Sequence, residues 1–508
     1  MDATQSATLS SSRLNLWVLA ALSLVFGLAL PLSMAPFNAW PLIWLSLAGF
    51  FWLSHRAATG RQAFWLGWVY GAGMFGLGVS WVYGSMRTVA TPVPLSLALT
   101  ALFCGALAFL PAIQAWLYHR FLRTAPWALG LGAPALWVVF EWLRSWLFTG
   151  LPWLLAGYSH TDTGLGQLSA LVSVYGIGAV LAFGAAQITR LMVFRNRAIA
   201  GVAIASIASA LAIGAGIAIP ATEWSEETAS IRVAAVQSNV EQSEKWLSRN
   251  VRPTLDFYGR QARTLSEPDL VVWPEAALTV RPQRIQTYLE ELDQLAASRD
   301  QGVITGIITT EDDRYYNALL GYGTASGEYR KQHLVPFGEY LPFDRYLRGL
   351  IAFFNIPMST LSPAPTPQTP MPWSFRGETR ELAPVICYEA AYPGLVRELA
   401  TTSDLLIMVS NDAWFGDSLA PHQHLQITRM RAIENSRAIV RATQTGISAL
   451  IGANGDVLER SEQFEVAVVQ GDVSLRDGLT PYQRWGSTWW IVLPLGALGV
   501  LIWLGRRP

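Results

Sequence analysis

Charge is what this 508-residue sequence has least of: 14% of its residues are charged, against about 25% in an ordinary soluble chain. Nor does either sign dominate, with 36 basic and 36 acidic residues, and that balance excludes a nucleic-acid partner, which needs a basic face to neutralise phosphates. Cysteine is almost missing, and a pair, Cys104 and Cys387, cannot build a disulfide scaffold. Lysine is as scarce, with only Lys245 and Lys331 among the 36 basic residues. Disorder is excluded from the other side, because 22 Trp, 21 Phe and 16 Tyr are far too many for a solvated chain.

What is there is hydrophobic, 52% of the chain, and it is unevenly placed. Residues 1–220 hold ten Arg, no Lys and the three acids Asp2, Glu141 and Asp162. A membrane-spanning helix needs about 20 mostly apolar residues. The first 220 residues supply seven such stretches, near 14–32, 38–54, 62–84, 93–118, 127–147, 166–189 and 198–219, and an eighth runs from 487 to 505. The expected fold class is therefore a membrane protein: an α-helical bundle of eight transmembrane helices, seven N-terminal and one C-terminal, carrying a separate α/β domain. The domain boundaries follow as 1–220, 221–484 and 485–508. If the segments alternate, Arg13, Arg56, Arg61, Arg120, Arg123, Arg190, Arg195, Arg197, Arg506 and Arg507 share one side, and the opposite short loops hold only Arg87. The positive-inside rule then puts both termini in the cytoplasm and 221–484 outside it.

That segment alternates short β-rich runs with amphipathic stretches. The runs are 231–237, 270–273, 303–309, 318–322, 383–387, 405–410, 448–451 and 467–473; the expected helices are 253–266, 283–298, 392–402 and 419–443. Such alternation implies stacked layers of sheet and helix. Between Gly349 and Trp373 the pattern gives way to a loop with six prolines and the aromatics Phe353 and Phe354, a candidate lid.

Cys387 is the only thiol in a domain expected to face an oxidising compartment, and it ends the apolar run Ala383-Pro384-Val385-Ile386. Cys104, among Ala, Leu and Phe of a span, reads as an apolar filler. Where arginine is the default cation, a lysine marks a place for a compact ammonium that approaches one oxygen. Lys331 has such a context, in Lys331-Gln332-His333-Leu334-Val335-Pro336-Phe337-Gly338-Glu339-Tyr340, whereas Lys245 reads as incidental. Glu275 follows the apolar run Leu270-Val271-Val272 within Trp273-Pro274-Glu275. Glu275, Lys331 and Cys387 are spaced 56 residues apart each time. An acid to take a thiol proton, a cation to hold an oxyanion and a thiolate to attack are what covalent acyl transfer requires.

The order Glu–Lys–Cys on an α/β domain resembles the nitrilase superfamily, whose αββα fold builds its site from those residue types. Trp273-Pro274-Glu275, the string His333 to Glu339, Ile386-Cys387-Tyr388-Glu389 and Ser410-Asn411-Asp412-Ala413-Trp414-Phe415-Gly416 resemble the apolipoprotein N-acyltransferases, the membrane-embedded branch of that superfamily. The resemblance implies transfer of a fatty acyl chain from a phospholipid to the α-amine of a lipoprotein's N-terminal diacylglyceryl-cysteine, through a thioester. Glu275 would be the general base, Lys331 the oxyanion partner and Cys387 the nucleophile, with Glu339, Tyr388 and Glu389 supporting and Trp246 touching substrate. It also implies a multi-pass protein of the bacterial inner membrane with a periplasmic catalytic domain. The expected partners are phospholipid, diacylglyceryl lipoprotein and membrane lipid, with no nucleic acid, cofactor or metal, and the chain acting as a monomer.

Other readings remain open at this stage. A membrane-anchored amidase of the nitrilase type, acting on a soluble amide, would share every catalytic residue; a transporter with an external binding domain would need none of them. Glu141 and Arg144, three apart in a span, read as an internal pair or a headgroup contact. His422 and His424, two apart, face different sides of a helix and read as polar surface, and Arg429 to Arg441 as a solvated helix face.

Overall fold

The structure, a computed structural model, describes residues 15–88, 91–125, 127–194, 214, 218–341 and 360–505. The N-terminal half is helical: α1 (Leu16–Leu32), α2 (Leu42–Arg56), α3 (Gly60–Gly78), α4 (Trp81–Thr88), α5 (Val93–Leu107), α6 (Phe109–Leu117), α7 (Ala133–Arg144), the single turn α8 (Gly164–Gln167) and α9 (Ser169–Phe194). α5 and α6 run on through a π turn, so Val93–Leu122 forms one apolar rod of 30 residues, whose most apolar 18-residue window has a mean hydropathy of 2.2. That rod and α9 are the two helices among the described residues long and apolar enough to cross a membrane. The expected stretch 62–84 is broken into α3 and α4, and the stretch 198–219 lies almost wholly outside the described residues.

α1 and α3 pack in close contact because both carry glycine at the crossing. A Cβ on Gly27 would lie 2.1 Å from the Tyr70 carbonyl oxygen, and one on Gly73 would lie 2.7 Å from that of Leu24. Small residues that let backbones approach are how helices associate where no water drives them together.

The α/β domain is built from α10 (Gln242–Lys245), α11 (Val251–Thr264), α12 (Gln286–Ala297), α13 (Pro393–Ala400), α14 (Ala420–Asn435) and α15 (Pro481–Trp485), with α16 (Trp489–Gly505) following it. Its strands are β1 (Glu226–Gln237), β2 (Leu270–Val272), β3 (Gly302–Glu311), β4 (Arg314–Gly323), β5 (Glu328–Arg330), β6 (Met371–Phe375), β7 (Glu378–Ile386), β8 (Leu405–Ser410), β9 (Ile439–Thr443), β10 (Ala449–Ile451), β11 (Val457–Arg460) and β12 (Ala467–Asp477). They form two six-stranded sheets, ordered β12-β1-β2-β3-β4-β5 and β11-β10-β9-β8-β7-β6. The centre of each is parallel, with Val272 opposite Ile304 and Ile386 opposite Val409. The sheets face each other, stitched where Gln237 Oε1 accepts hydrogen bonds from the hydroxyls of Thr443, Ser448 and Ser461 at 3.1, 2.7 and 2.9 Å. α11 and α12 cover the first sheet, burying Tyr258, Ala262, Leu289 and Leu292 against Val236, Val271 and Trp273. α13 and α14 cover the second, which completes the αββα layering.

The strands that alternation and apolar runs announce are present, and four others, β5, β6, β9 and β11, are not announced. The expected helix 419–443 is two elements: α14 ends at Asn435, Ser436 turns left-handed at φ 48°, and the chain continues as β9. Nor is α14 a solvated face, because only His422 and Arg429 within it escape full burial. It lies between the second sheet and the helical half, so its buried charges find their partners within the protein.

The charges of α14 do this explicitly. α9 kinks at Ser173, where φ is 62°, and the kink frees backbone N–H groups. Glu434 reaches across from α14 to accept them: its Oε1 takes the Val174 N–H at 2.7 Å and the Ser173 hydroxyl at 2.9 Å. Arg431 balances that carboxylate at 3.1 Å and donates to the Tyr158 hydroxyl at 3.3 Å.

Candidate active site

Three strand ends converge. β2 delivers Glu275, β5 delivers Lys331 and β7 delivers Cys387, each beyond the carboxyl end of its strand, where open α/β sheets gather reactive groups. The loop after β2 fits closely against β3: a Cβ on Gly306 would stand 2.3 Å from the Pro274 carbonyl oxygen and 2.8 Å from the Glu275 Cα.

The Glu275 carboxylate is held from both sides. Its Oε1 accepts from Asn317 Nδ2 at 2.6 Å and Lys331 Nζ at 3.3 Å, and its Oε2 from the Asn411 backbone N–H at 2.7 Å. Lys331, 1% exposed, also donates to Glu339 Oε1 at 2.9 Å. Burial works against the Lys331 ammonium, but the carboxylates of Glu275 and Glu339 more than offset it and hold the lysine charged. Glu339 in turn accepts from Asn317 Nδ2 at 3.0 Å and from the Val335 N–H at 2.8 Å, so it fixes the loop that presents the lysine.

Cys387 opens a short 3-10 turn, Cys387–Ala391, in a left-handed conformation with φ 53°. A cysteine rarely adopts that conformation, and outliers of this kind cluster at active sites. The turn is braced by Glu389, which is fully buried. Its Oε2 accepts from the Ile386 N–H at 2.8 Å and the Tyr329 hydroxyl at 3.0 Å, and its Oε1 from the N–H groups of Gln332 and His333 at 2.6 and 3.2 Å. One carboxylate thus ties the Cys387 turn to the lysine loop. Burial, and then the Glu275 carboxylate, push the Cys387 thiol up, with Lys331 opposing.

Tyr388 links the site to the helical half, donating its hydroxyl to the Gly150 carbonyl at 2.9 Å, while Tyr392 donates to that of Thr149 at 3.0 Å. Glu141 and Arg144, both buried, brace the same connection from α7. Glu141 accepts the Ala156 N–H at 2.7 Å and Arg144 donates to the Leu154 carbonyl at 3.2 Å.

Several functional positions are not legible in the sequence. Lys245 is no incidental lysine: it is 1% exposed, and its Nζ donates to the Glu275 backbone carbonyl at 3.0 Å. Burial lowers it to about 8. A cue existed, since the chain's two lysines are equally rare and both end at Glu275. Asn317 bridges two carboxylates from the middle of β4 and carries no signal without the fold; Asn411, inside the string Ser410 to Gly416, offers its backbone N–H. Trp246, next to Lys245, has a buried indole nitrogen with no partner among the described residues, and its ring lies 5.9 Å from the Lys245 Nζ.

The histidine reading needs correcting. His422 meets Gln463, but His424 is 1% exposed, wedged between Asp412 and the Cys387 carbonyl. The charged run beyond it is also buried: Arg431, Arg437 and Arg441 are each no more than 1% exposed, because the domain docks its α14 layer against the helices. Among the described residues no group of three or more His, Cys, Asp or Glu is arranged to hold a metal ion. Phe353 and Phe354 of the candidate lid lie outside the described residues.

Comparison with known proteins matches both halves. Residues 26–187 match the model of the apolipoprotein N-acyltransferase N-terminal domain, and residues 232–478 that of the carbon-nitrogen hydrolases. An apolipoprotein N-acyltransferase of Azotobacter vinelandii is 42% identical over 498 residues, covering 96% of this chain and 94% of that one. One of Pseudomonas putida is 39% identical over 479 residues, covering 93% and 94%. Among solved structures, Saccharomyces cerevisiae Nit3, of branch 10 of the nitrilase superfamily, aligns with 49% of this chain and 91% of its own at 18% identity and a TM-score of 0.37.

Proposed function

The chain belongs to the apolipoprotein N-acyltransferase family and is an acyltransferase of lipoprotein biosynthesis; on that premise we propose that Cys387 carries the acyl group between a phospholipid donor and the lipoprotein amine. The observation that carries this reading is a free, buried cysteine held left-handed beside a carboxylate that is itself hydrogen-bonded to a buried lysine.

In the first half-reaction Glu275 takes the thiol proton as the Cys387 sulfur attacks the ester carbonyl. Negative charge moves to the carbonyl oxygen, where the Lys331 ammonium and a backbone N–H of the elbow meet it; each such donor is worth about 3 kcal/mol. The carbon–oxygen bond breaks, Glu275 returns the proton to the departing lysophospholipid oxygen, and a thioester remains. In the second, the α-amine of the diacylglyceryl-cysteine attacks the thioester, loses a proton to Glu275 and forms the amide, and the sulfur leaves to recover that proton. The scheme predicts ping-pong kinetics. Glu339 and Glu389 hold the lysine loop and the elbow, Tyr388 anchors the elbow to the helices, and Trp246 flanks the substrate.

The arrangement in the membrane is part of the proposal. Eight spans, seven within 1–220 and one within 485–508, tether the domain 221–484 at the periplasmic face of the bacterial inner membrane, with both termini cytoplasmic. The one-sided arginines support the orientation, and the apolar rod Val93–Leu122 and α9 support the spanning. Both substrates keep their chains in the bilayer, so a site fixed at its surface meets their headgroups without extracting them. The chain acts as a monomer in this scheme. An amidase on a soluble substrate would need one anchor, and the relatives match through the helical half as well as the catalytic one.

Intact-mass analysis after incubation with phospholipid tests the assignment. The wild type should gain one acyl chain and lose it on addition of a diacylglyceryl-cysteine peptide. Cys387→Ala should gain none; an unchanged adduct there would overturn the role of Cys387.

A further inference from the structure

The acyl-transfer scheme leaves a buried amine beside the site unused, that of Lys245. It is 1% exposed, and among the described residues it makes a single hydrogen bond, from Nζ to the Glu275 carbonyl oxygen at 3.0 Å. That bond answers a specific need of the loop after β2. The strand ends at Val272, and beyond Trp273, whose N–H still reaches the Ile304 carbonyl at 2.9 Å, the chain leaves the ladder. It regains main-chain partners at Ala277 and Leu278, which donate to the Pro274 and Gly306 carbonyls at 3.2 and 3.1 Å. Between those points the Glu275 carbonyl meets no main-chain N–H among the described residues. A buried carbonyl requires a donor, and the Lys245 amine is the one it receives.

The peptide so held is a strained one. It joins Glu275 to Ala276, and Ala276 is left-handed at φ 46°, a conformation that alanine rarely adopts. Rotating this peptide plane would change ψ of Glu275 and φ of Ala276 together, relieving the strain and swinging the carbonyl away from Lys245. The Glu275 side chain would move with it, because Asn317, Lys331 and the Asn411 N–H grip only its carboxylate oxygens. Lys245 is itself anchored to the same place. It closes α10, whose Gln242 accepts from Asn411 Nδ2 at 2.8 Å, and Asn250 Nδ2 donates to the Glu244 carbonyl at the helix end at 2.8 Å. Asn411 thus meets the Glu275 carboxylate with its backbone and the lysine's helix with its side chain. Protonated or neutral, the amine has hydrogens to donate, so the clamp works in either state.

We propose that Lys245 is a positioning residue for the base of the reaction: its amine locks the Glu275–Ala276 peptide in the strained orientation and so sets the Glu275 carboxylate for the Cys387 thiol. The proposal rests on Glu275 as that base. The two lysines of the chain then divide one task, Lys331 at the carboxylate and Lys245 at the main chain of the same residue. Since its hydrogen bond goes to the main chain, loss of Lys245 should be felt in the rate of acylation and not in the binding of phospholipid.

Rapid-quench mass analysis of Cys387 acylation tests this in the full-length enzyme, with phosphatidylethanolamine in mixed micelles as donor. Lys245→Met, which keeps the bulk and removes the donor, should acylate about 100-fold more slowly, the effect of misplacing a reacting group by about 1 Å. Lys245→Gln, whose amide falls one atom short, should be slowed about tenfold. In both, KM for phospholipid should be unchanged and the adduct should still reach one acyl chain per protein. A variant that is merely destabilised would instead lose amplitude and keep its rate. A double-mutant cycle then identifies the route: added to Glu275→Ala, Lys245→Met should slow acylation no further, because a clamp acts only through what it clamps. Lys245→Met acylating at the wild-type rate, or slowing Glu275→Ala as much as it slows the wild type, overturns the positioning role. If Lys245→Met fails to fold, Lys245→Gln and its cycle with Glu275→Ala decide. Glu275→Ala acylating like the wild type would overturn the base assignment and the role of Lys245 with it, whereas a slow Glu275→Ala beside an unaffected Lys245→Met overturns the role of Lys245 alone.

Discussion

At the scale of single residues the site is an exercise in keeping charges buried and paired. Glu275, Glu339 and Lys331 could not be buried singly, since an unpaired charge in a protein interior costs several kcal/mol. Asn317 completes the set by giving both hydrogens of one amide to the two carboxylates. Asn317→Asp would face two carboxylates with a third, and acylation of Cys387 should fall about 100-fold, read by the same mass assay. Lys245 makes a pH-dependent prediction. Its folded value of about 8 lies below that of a free lysine, about 10.4, so between these values the unfolded chain holds the proton and the folded chain does not. Stability contributed at this position therefore rises with pH across that window, by about 3 kcal/mol in all, and the burden of a buried ammonium is present below pH 8. Thermal unfolding of Lys245→Met against pH should lack that rise; an unchanged slope would remove Lys245 as its source.

Among the elements, α14 is the one whose character the sequence conceals most. Its residues are polar enough to suggest solvent, yet it is enclosed between the second sheet and the helices, and its Arg431–Glu434 pair answers the broken backbone of α9 at Ser173. Arg431→Leu would leave the Glu434 carboxylate without its cation, at about 3–5 kcal/mol. The double variant with Glu434→Gln should recover part of the loss, because the amide oxygen still accepts the Val174 N–H. Melting temperatures of the two variants check both steps, and a double variant less stable than the single one would show that the pair does not couple the halves. The strands followed their apolar runs, because a parallel strand buried on both faces must be apolar throughout. β5, β6 and β11 escaped notice: they are edge or near-edge strands of three to five residues, where pairing and not composition makes the strand.

For the whole molecule, the two halves are bound through the site itself. The carbonyls of Thr149 and Gly150 receive Tyr392 and Tyr388, and Trp153 lies tilted against His424, so a distortion of the helices reaches the Cys387 turn within two contacts. The proposed orientation is open to direct measurement. In a Cys104→Ala background, a membrane-impermeant maleimide added to intact spheroplasts should label Asp313→Cys, at the β3–β4 turn, and should reach Arg61→Cys only after lysis. Labelling of Arg61→Cys in intact cells would reverse the orientation.

Composition and local pattern determined the division into a helical half and a charged α/β half, and they pointed to the three residues Glu275, Lys331 and Cys387 that the site is proposed to use. These properties are set locally, by the solvation of each segment and by what a strand end can present. Only the tertiary structure decided which polar residues beyond those three surround the site. Lys245, Asn317, Asp412, His424 and Arg441 come from five different segments and acquire roles through burial, because a charge removed from water must find its partner wherever the fold brings one. Scarcity of charge marked the helical half from the sequence alone; the charges that surround Cys387 were hidden in the half that has plenty.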